Sequence, residues 1–276
     1  MAAIPAEKLD YCRLVEMPGV EVLRAERSTR AWRVYHETYA VCSLLDVSGG
    51  QAEWTYRGKL RAAGAGGLML IEPGEVHANP RETPPCDFRA LFILPELAER
   101  AAMELDVPAR RPHLKYALST DPALYRAFAR FHEKLESVSS LLERESCFAE
   151  CVGLLFCDCT ESGSPAFARP SRTALLRARD QIHAHYTSPI KLDDLASAAG
   201  LSRYRLVRAF AKEFGVPPHA YQVRVQVEKA RALLAGGVSP AISAAQAGFS
   251  DQSHFGRHFK KILGVTPGDY QRSVRK

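Results

Sequence analysis

No stretch of this chain approaches the roughly 20 consecutive apolar residues that a membrane-spanning helix needs. The opening segment, Met1 to Asp10, carries charges where a secretion signal would place its apolar region. CxxC spacing is missing as well: the seven cysteines are odd in number and scattered, apart from a loose group at Cys147, Cys151, Cys157 and Cys159. In a chain without a secretion signal these read as reduced thiols, most of them small core residues, with a thiol or metal sensor as the alternative. A composition of 46% hydrophobic and 25% charged residues excludes disorder, collagen and coiled-coil fibre. What remains is a globular protein, expected in the cytoplasm and away from membranes, whose 276 residues suggest two domains.

The charge is unevenly spread. Residues 171–276 hold 17 Lys and Arg against 7 Asp and Glu, a net of +10, whereas residues 1–170 hold 20 and 24, a net of −4. A basic block joined to a mildly acidic one suggests an anion-binding module attached to something with another job, and nucleic acid is the leading anion. The boundary falls in the Pro-, Gly- and Ser-containing stretch at 161–172, which reads as a linker. The expected domains are therefore 1–160 and 173–276.

The carboxyl-terminal block is helical by pattern throughout. Thr173 to Tyr186 places Leu175, Leu176, Ile182 and Tyr186 near a 3.6-residue period. A short helix follows, with Asp193 and Asp194 in its first turn; Gly200 makes the turn and Ser202 caps a second helix. Leu206, Phe210 and Phe214 face the core at i, i+4 and i+8, leaving Arg203, Tyr204, Val207, Arg208 and Ala211 outward. The same arrangement returns after a long helix from about His219 to Ala235: Ser239-Pro240 opens a short helix, Gly248 turns, and Asp251 begins another. Phe255, Phe259 and Ile262 form its buried stripe. Each half alone could be an αα-hairpin with a solvated basic face. Two of them, separated by a helix about 26 Å long, could instead enter successive major grooves about 34 Å apart.

The run Ala247-Gly-Phe-Ser-Asp-Gln-Ser-His-Phe-Gly-Arg-His-Phe-Lys-Lys-Ile-Leu-Gly-Val-Thr-Pro-Gly-Asp-Tyr270 resembles the signature of the AraC/XylS family of transcriptional regulators, and the stretch from Leu195 to Tyr221 resembles its first half. The resemblance covers about 173–274. It implies a seven-helix DNA-binding domain with two helix-turn-helix motifs, in a bacterial regulator, an activator, that contacts promoter DNA and RNA polymerase. By the same resemblance Arg203, Tyr204, Val207 and Arg208 read bases from the first recognition helix, and Gln252, Ser253, His254, Gly256 and Arg257 from the second. Arginine suits guanine and glutamine suits adenine, whereas Val207 offers only apolar contact and Gly256 has no side chain. Backbone phosphates fall to Lys212, Lys260, Lys261 and Arg272, with Arg275 and Lys276 either joining them or forming a solvated tail.

Residues 20–95 alternate in short runs rich in Val, Leu, Tyr and Trp, separated by turns at Ser48–Gly50, Arg57-Gly58, Gly64–Gly67 and Pro73-Gly74, the spacing of hairpins in a small barrel. With His36-Glu-Thr-Tyr39 and the run ending at His77, this block resembles the cupin-like sensor barrel of the same family. Metal-binding cupins use a His-x-His pair; here Val34 stands where the first histidine would be, leaving His36, Glu37 and His77. The expectation is a pocket for a small-molecule effector, with Trp32, Tyr35, His36, Tyr39, Trp54, Tyr56 and His77 as candidate walls, although alternation turns half of any strand outward. No catalytic residue, metal or cofactor is expected.

From Asp121, Leu124, Phe128, Phe131 and Leu135 recur at helical spacing, and 141–159 supplies a second, apolar helix. Residues 121–160 resemble the family's dimerisation hairpin and imply a homodimer; the alternative is packing on the barrel. Cys147 and Cys151, four residues apart, would let oxidation couple to assembly if they lay at that interface. The competing function is enzymatic, a cupin-type metal catalyst or a DNA-repair transferase fused to a DNA-binding domain. Cys12, Cys42 and Cys86 lack the recognisable setting that an activated thiol needs. The fold expected is α+β: a cupin-like β-barrel with a helical hairpin, followed by an all-α domain.

Overall fold

The computed structural model describes residues 7–29, 31, 33–34, 36–47, 50–79, 85–107, 112–160 and 170–274. Contacts divide the chain into two units, Met1–His132 with Cys151–Phe167, and Glu133–Glu150 with Ala168–Lys276. The first unit is antiparallel and sheet-rich, the second helical, and no helix among the described residues is long and apolar enough to cross a membrane.

In the first unit the strands β1 (Lys8–Arg13), β2 (Val20–Ser28), β3 (Arg33–Val34), β4 (Tyr39–Val47), β5 (Ala52–Tyr56), β6 (Lys59–Ala63), β7 (Leu68–Ile71), β8 (His77–Ala78), β9 (Cys86–Ile93) and β10 (Leu118–Ser119) form two antiparallel sheets. One runs β1-β2-β9-β4-β7-β10 and the other β3-β8-β5-β6. Alternating side chains such as Ala52, Trp54 and Tyr56 turn inward from β5, while Leu23, Ala40, Cys42 and Leu44 answer from the larger sheet, so the core lies between the two. β1 and β10 extend the sheet beyond the span of 20–95 read from the sequence. A helix, α1 (Pro95–Glu104), also follows β9 where the sequence reading placed none; Pro95 begins it and Leu97, Ala98, Ala101 and Ala102 bury its inner face.

Two further helices, α2 (Pro122–Glu136) and α3 (Leu141–Asp158), match the expected hairpin, and Leu124, Phe128 and Phe131 are buried on α2 as the period requires. Central strand β4 breaks the alternation rule. Its first six residues are all buried, because Tyr39 turns its ring edge-on to Phe156 of α3, 5.5 Å between centroids, while its neighbours face the sheet interior. A strand covered on both faces reads as a continuous apolar run.

Six of the seven cysteines are buried, and Cys12 alone is exposed. Burial pushes the Cys86 and Cys159 thiols up to about 11 and Cys42 higher still, so all three stay protonated. Cys147 and Cys151 are fully buried within the chain, not on a surface that a partner or oxidant could reach.

The helical unit comprises α4 (Arg172–His185), α5 (Leu192–Ala199), α6 (Arg203–Phe214), α7 (Pro218–Ala235), α8 (Pro240–Gln246), α9 (Gln252–Leu263) and α10 (Pro267–Val274). Their starts are chemically defined: the side chains of Ser171, Ser202, Ser239 and Asp251 each accept a hydrogen bond from the backbone N–H three residues on. Gly200, Gly215 and Gly264 end helices in the left-handed conformation.

Two imidazoles set an acid limit on the first unit. Burial holds His132, packed on the Phe128 ring, down at about 3, and burial assisted by the neighbouring His36 holds His77 at about 4. Both are neutral when folded, whereas an unfolded histidine protonates near pH 6.5. The unfolded state therefore binds more protons below that pH, and stability present above it is lost as pH falls towards 4. His132 alone is expected to cost on the order of 2 kcal/mol by pH 5. Denaturant unfolding at pH 7 and pH 5 checks this, and equal stabilities would contradict it.

Candidate nucleic-acid interface and ligand cavity

Both turn-linked helix pairs are present, α5–α6 and α8–α9, with α7 between them in the chain. Arg208 and Lys212 are exposed on α6, and Gln252, Ser253, Arg257, Lys260 and Lys261 on α9; Gly256 is half-buried. Arg203 is half-buried, 3.7 Å from Asp193 and stacked over the Tyr204 ring. Arg272 is exposed but pairs with Asp269.

Three of the residues expected to read bases lie elsewhere. Tyr204 and Val207 are 2% and 1% exposed, so neither presents an edge to solvent. On α6 burial covers the arc that runs from Leu206 and Phe210 round to Val207 and Tyr204, wider than the i, i+4, i+8 stripe. Phe214, at the end of that stripe, is only half-buried and leans on Tyr221. His254 is half-buried too, and its Nε2 sits 2.8 Å from Nε2 of His258.

Sequence reasoning missed the residues that fix the spacing of the motifs. Gln222 and Gln226 are buried on α7; both donate to the Tyr186 carbonyl, and Gln226 also reaches the Gly248 carbonyl. Glutamines at i and i+4 look like solvated polar positions in a sequence. Here they satisfy backbone carbonyls at the α4 end and at the turn between α8 and α9.

Between the sheets of the first unit lies a largely apolar cavity of about 110 Å³. Of the expected wall residues, His36, Trp54 and His77 line it, together with Met69, Phe88 and Phe92. Tyr39 and Tyr56 do not: Tyr39 donates its hydroxyl to the Pro112 carbonyl, and the Tyr56 hydroxyl accepts from the backbone N–H of Glu72. Trp32 and Tyr35 lie outside the described residues. The His36 ring packs against both His77 and Phe92. Glu37, the third group weighed for a metal, is exposed and not part of the lining. Indole Nε1 of Trp54 and Nδ1 of His77 are buried with no hydrogen-bond partner among the described residues. Such atoms cost about 1–3 kcal/mol each unless something satisfies them.

Comparison with known proteins decides the assignment. Residues 18–151 match the AraC-like ligand binding domain, and residues 195–273 match a helix-turn-helix domain. The chain belongs to the AraC/XylS family. A helix-turn-helix-type transcriptional regulator of Bacillus subtilis, YbfI, itself uncharacterised, is 29% identical over 197 residues, 67% of this chain and 70% of that protein. LumQ of Photobacterium leiognathi, a probable transcriptional regulator, is 33% identical over 95 residues, 34% of this chain and 38% of that one. Among solved structures, an AraC-type regulator from Chromobacterium violaceum covers 37% of this chain and 93% of its own, at 27% identity and a TM-score of 0.36.

An AraC/XylS regulator combines the two sites just described in one chain, the cavity inside its ligand-binding domain and the paired helices inside its helix-turn-helix domain. The ligand-binding match extends through the start of α3, whose residues up to Glu150 group with the helical unit. Within that unit the Glu145 carboxylate accepts from the backbone N–H of Leu192, the first residue of α5.

Proposed function

We propose that this protein is a sequence-specific transcriptional activator whose DNA binding is set by a small effector held between the two sheets. One observation carries the reading: two capped helices, α6 and α9, present Arg208 and Gln252, Ser253 and Arg257 outward from a block of net charge +10. Lysines 212, 260 and 261 flank them and suit backbone phosphates. Duplex promoter DNA is the partner, RNA polymerase the second partner and the cytoplasm the location. A homodimer through 121–160 would have to use the outward face of α2, since Phe148, Cys151, Val152, Leu155 and Phe156 of α3 are buried within the chain.

The cavity also limits the effector. Its lining is largely apolar, burial lowers the pKa of both histidines so that they stay neutral, and the Trp54 N–H is a donor without a partner among the described residues. A small, uncharged, mostly apolar molecule carrying one hydrogen-bond acceptor fits that chemistry. Because an effector shifts only an equilibrium whose two states it binds unequally, the test joins both sites. Full-length protein is used to select duplexes from a random library, with and without molecules that raise its melting temperature. Enrichment of paired half-sites about one helical turn apart, altered by such a molecule in the wild type and not in Trp54→Phe, is the expected result. Selection without enrichment would refute the DNA reading, and enrichment indifferent to every stabilising molecule would refute effector control.

A further inference from the structure

The helical unit holds a cluster that the DNA reading does not use. Glu143 in the first turn of α3 is 2% exposed, and its carboxylate faces His254 and His258, one helical turn apart on α9. Donor atoms of the three side chains lie within 4.8 Å of one another, with the two Nε2 atoms 2.8 Å apart. We propose that Glu143, His254 and His258 bind a divalent transition ion of the Zn²⁺ class.

Several features of the site suit such an ion. Histidines at i and i+4 on one helix face are a bidentate metal clamp, and a carboxylate from a second helix completes three protein ligands, leaving one position for water. Tetrahedral Zn–N bonds of about 2.0–2.1 Å place two nitrogens about 3.3 Å apart, so the imidazoles need to open by only about half an ångström. The hydrogen bond between the two Nε2 atoms requires a proton on one of them, and the ion takes the place of that proton when that ring carries its hydrogen on Nδ1 instead. The carboxylate is already ionised and oriented: Oε2 accepts from the backbone N–H of Ser140 and Oε1 from Lys134, both 3.1 Å or less. Each oxygen keeps a second lone pair for the ion. Lys134 opposes a cation electrostatically, yet as the carboxylate's counter-ion it also holds Glu143 charged. Both histidines are half-buried, so an ion can enter from solvent.

An ion held there joins α9, which also carries Gln252, Ser253 and Arg257, to the start of α3. Any effect of that link on base reading rests on the DNA-binding reading; the metal site does not. The test therefore uses no DNA. Full-length protein, freed of metal by chelation, is titrated with Zn²⁺ by calorimetry and with Co²⁺ by visible absorption. One ion per chain is expected, with cobalt bands of a nitrogen- and oxygen-ligated site and no thiolate charge transfer. His258→Gln, its fold verified by circular dichroism, is expected to weaken binding at least about tenfold, the low end of what even an outer-shell change costs. Glu143→Gln is expected to do the same, with circular dichroism to verify its fold. Substoichiometric binding, a thiolate signature, or a His258→Gln protein that binds as tightly as wild type would overturn the site.

Discussion

Gly248→Ala is expected to destabilise the helical unit by about 3 kcal/mol or more. Gly248 has φ +85°, a conformation that costs a non-glycine residue of order 1–3 kcal/mol. Added to that is a steric cost. A Cβ there would stand 2.6 Å from Cα of Thr187 and 2.9 Å from its carbonyl oxygen, backbone against backbone, with no rotamer to change. The Thr187 segment is also held, since Gln226 and Gln222 bind the carbonyls of Tyr186 and Ser188 on either side of it. Overpacking of this kind adds about 1–3 kcal/mol. Gly200→Ala is the internal control: its φ is +65° but nothing lies within 4 Å of its Cβ position, so only the backbone term of about 1–2 kcal/mol applies. Chemical denaturation of the two variants side by side separates the terms. Equal losses would mean that the close approach of the two turns does not exist in solution.

Arg257→Ala is expected to weaken binding at a selected site by about 1–3 kcal/mol and to relax the preference for guanine there, since a bidentate contact to O6 and N7 would be lost. Arg208→Ala carries the same expectation for the first motif. Affinity on random duplex should change little, because phosphate contacts by Lys212, Lys260 and Lys261 remain, and all complexes should weaken steeply with salt as counterions are released. Competition titrations at several salt concentrations measure both effects. Arginine variants that lose as much on random DNA as on the selected site would assign these side chains to the backbone, and the specificity would then rest on α9's Gln252 and Ser253.

The contrast between these residues and Tyr204 shows where pattern reading stops. Helix starts were legible because a cap is a contact between a side chain and the backbone three residues later: Ser202, Ser239 and Asp251 all perform it. Turns at Gly200 and Gly248 were legible because positive φ is a local demand. Apolar periodicity gave most of the buried stripes of α2 and α9, where Phe128, Phe131, Phe255 and Phe259 are all under 2% exposed, but Ile262, read into the same α9 stripe near the helix end, is 39% exposed. Periodicity cannot give the width of a buried face. Tyr204 and Val207 border the stripe of α6, and whether such a border residue meets water or protein depends on segments far away in the chain. The same reason hid Tyr39, whose outer-face position on β4 is covered by α3 more than a hundred residues later.

By itself, then, the sequence determined the two-part organisation, the capped helix starts of the carboxyl-terminal block, both turn-linked pairs and the family, each of them from local spacing, local charge or a contiguous motif. Tertiary structure alone decided that Tyr39 and Tyr56 are structural while Trp54 and His77 face a cavity, that Gln222 and Gln226 brace the two motifs, and that His254 lies beside His258 and Glu143. Apart from the pairing of His254 with His258, those outcomes rest on contacts between residues 16 to 117 positions apart, and the free energy of burying or pairing a side chain is set by whatever arrives from the other end of such a contact.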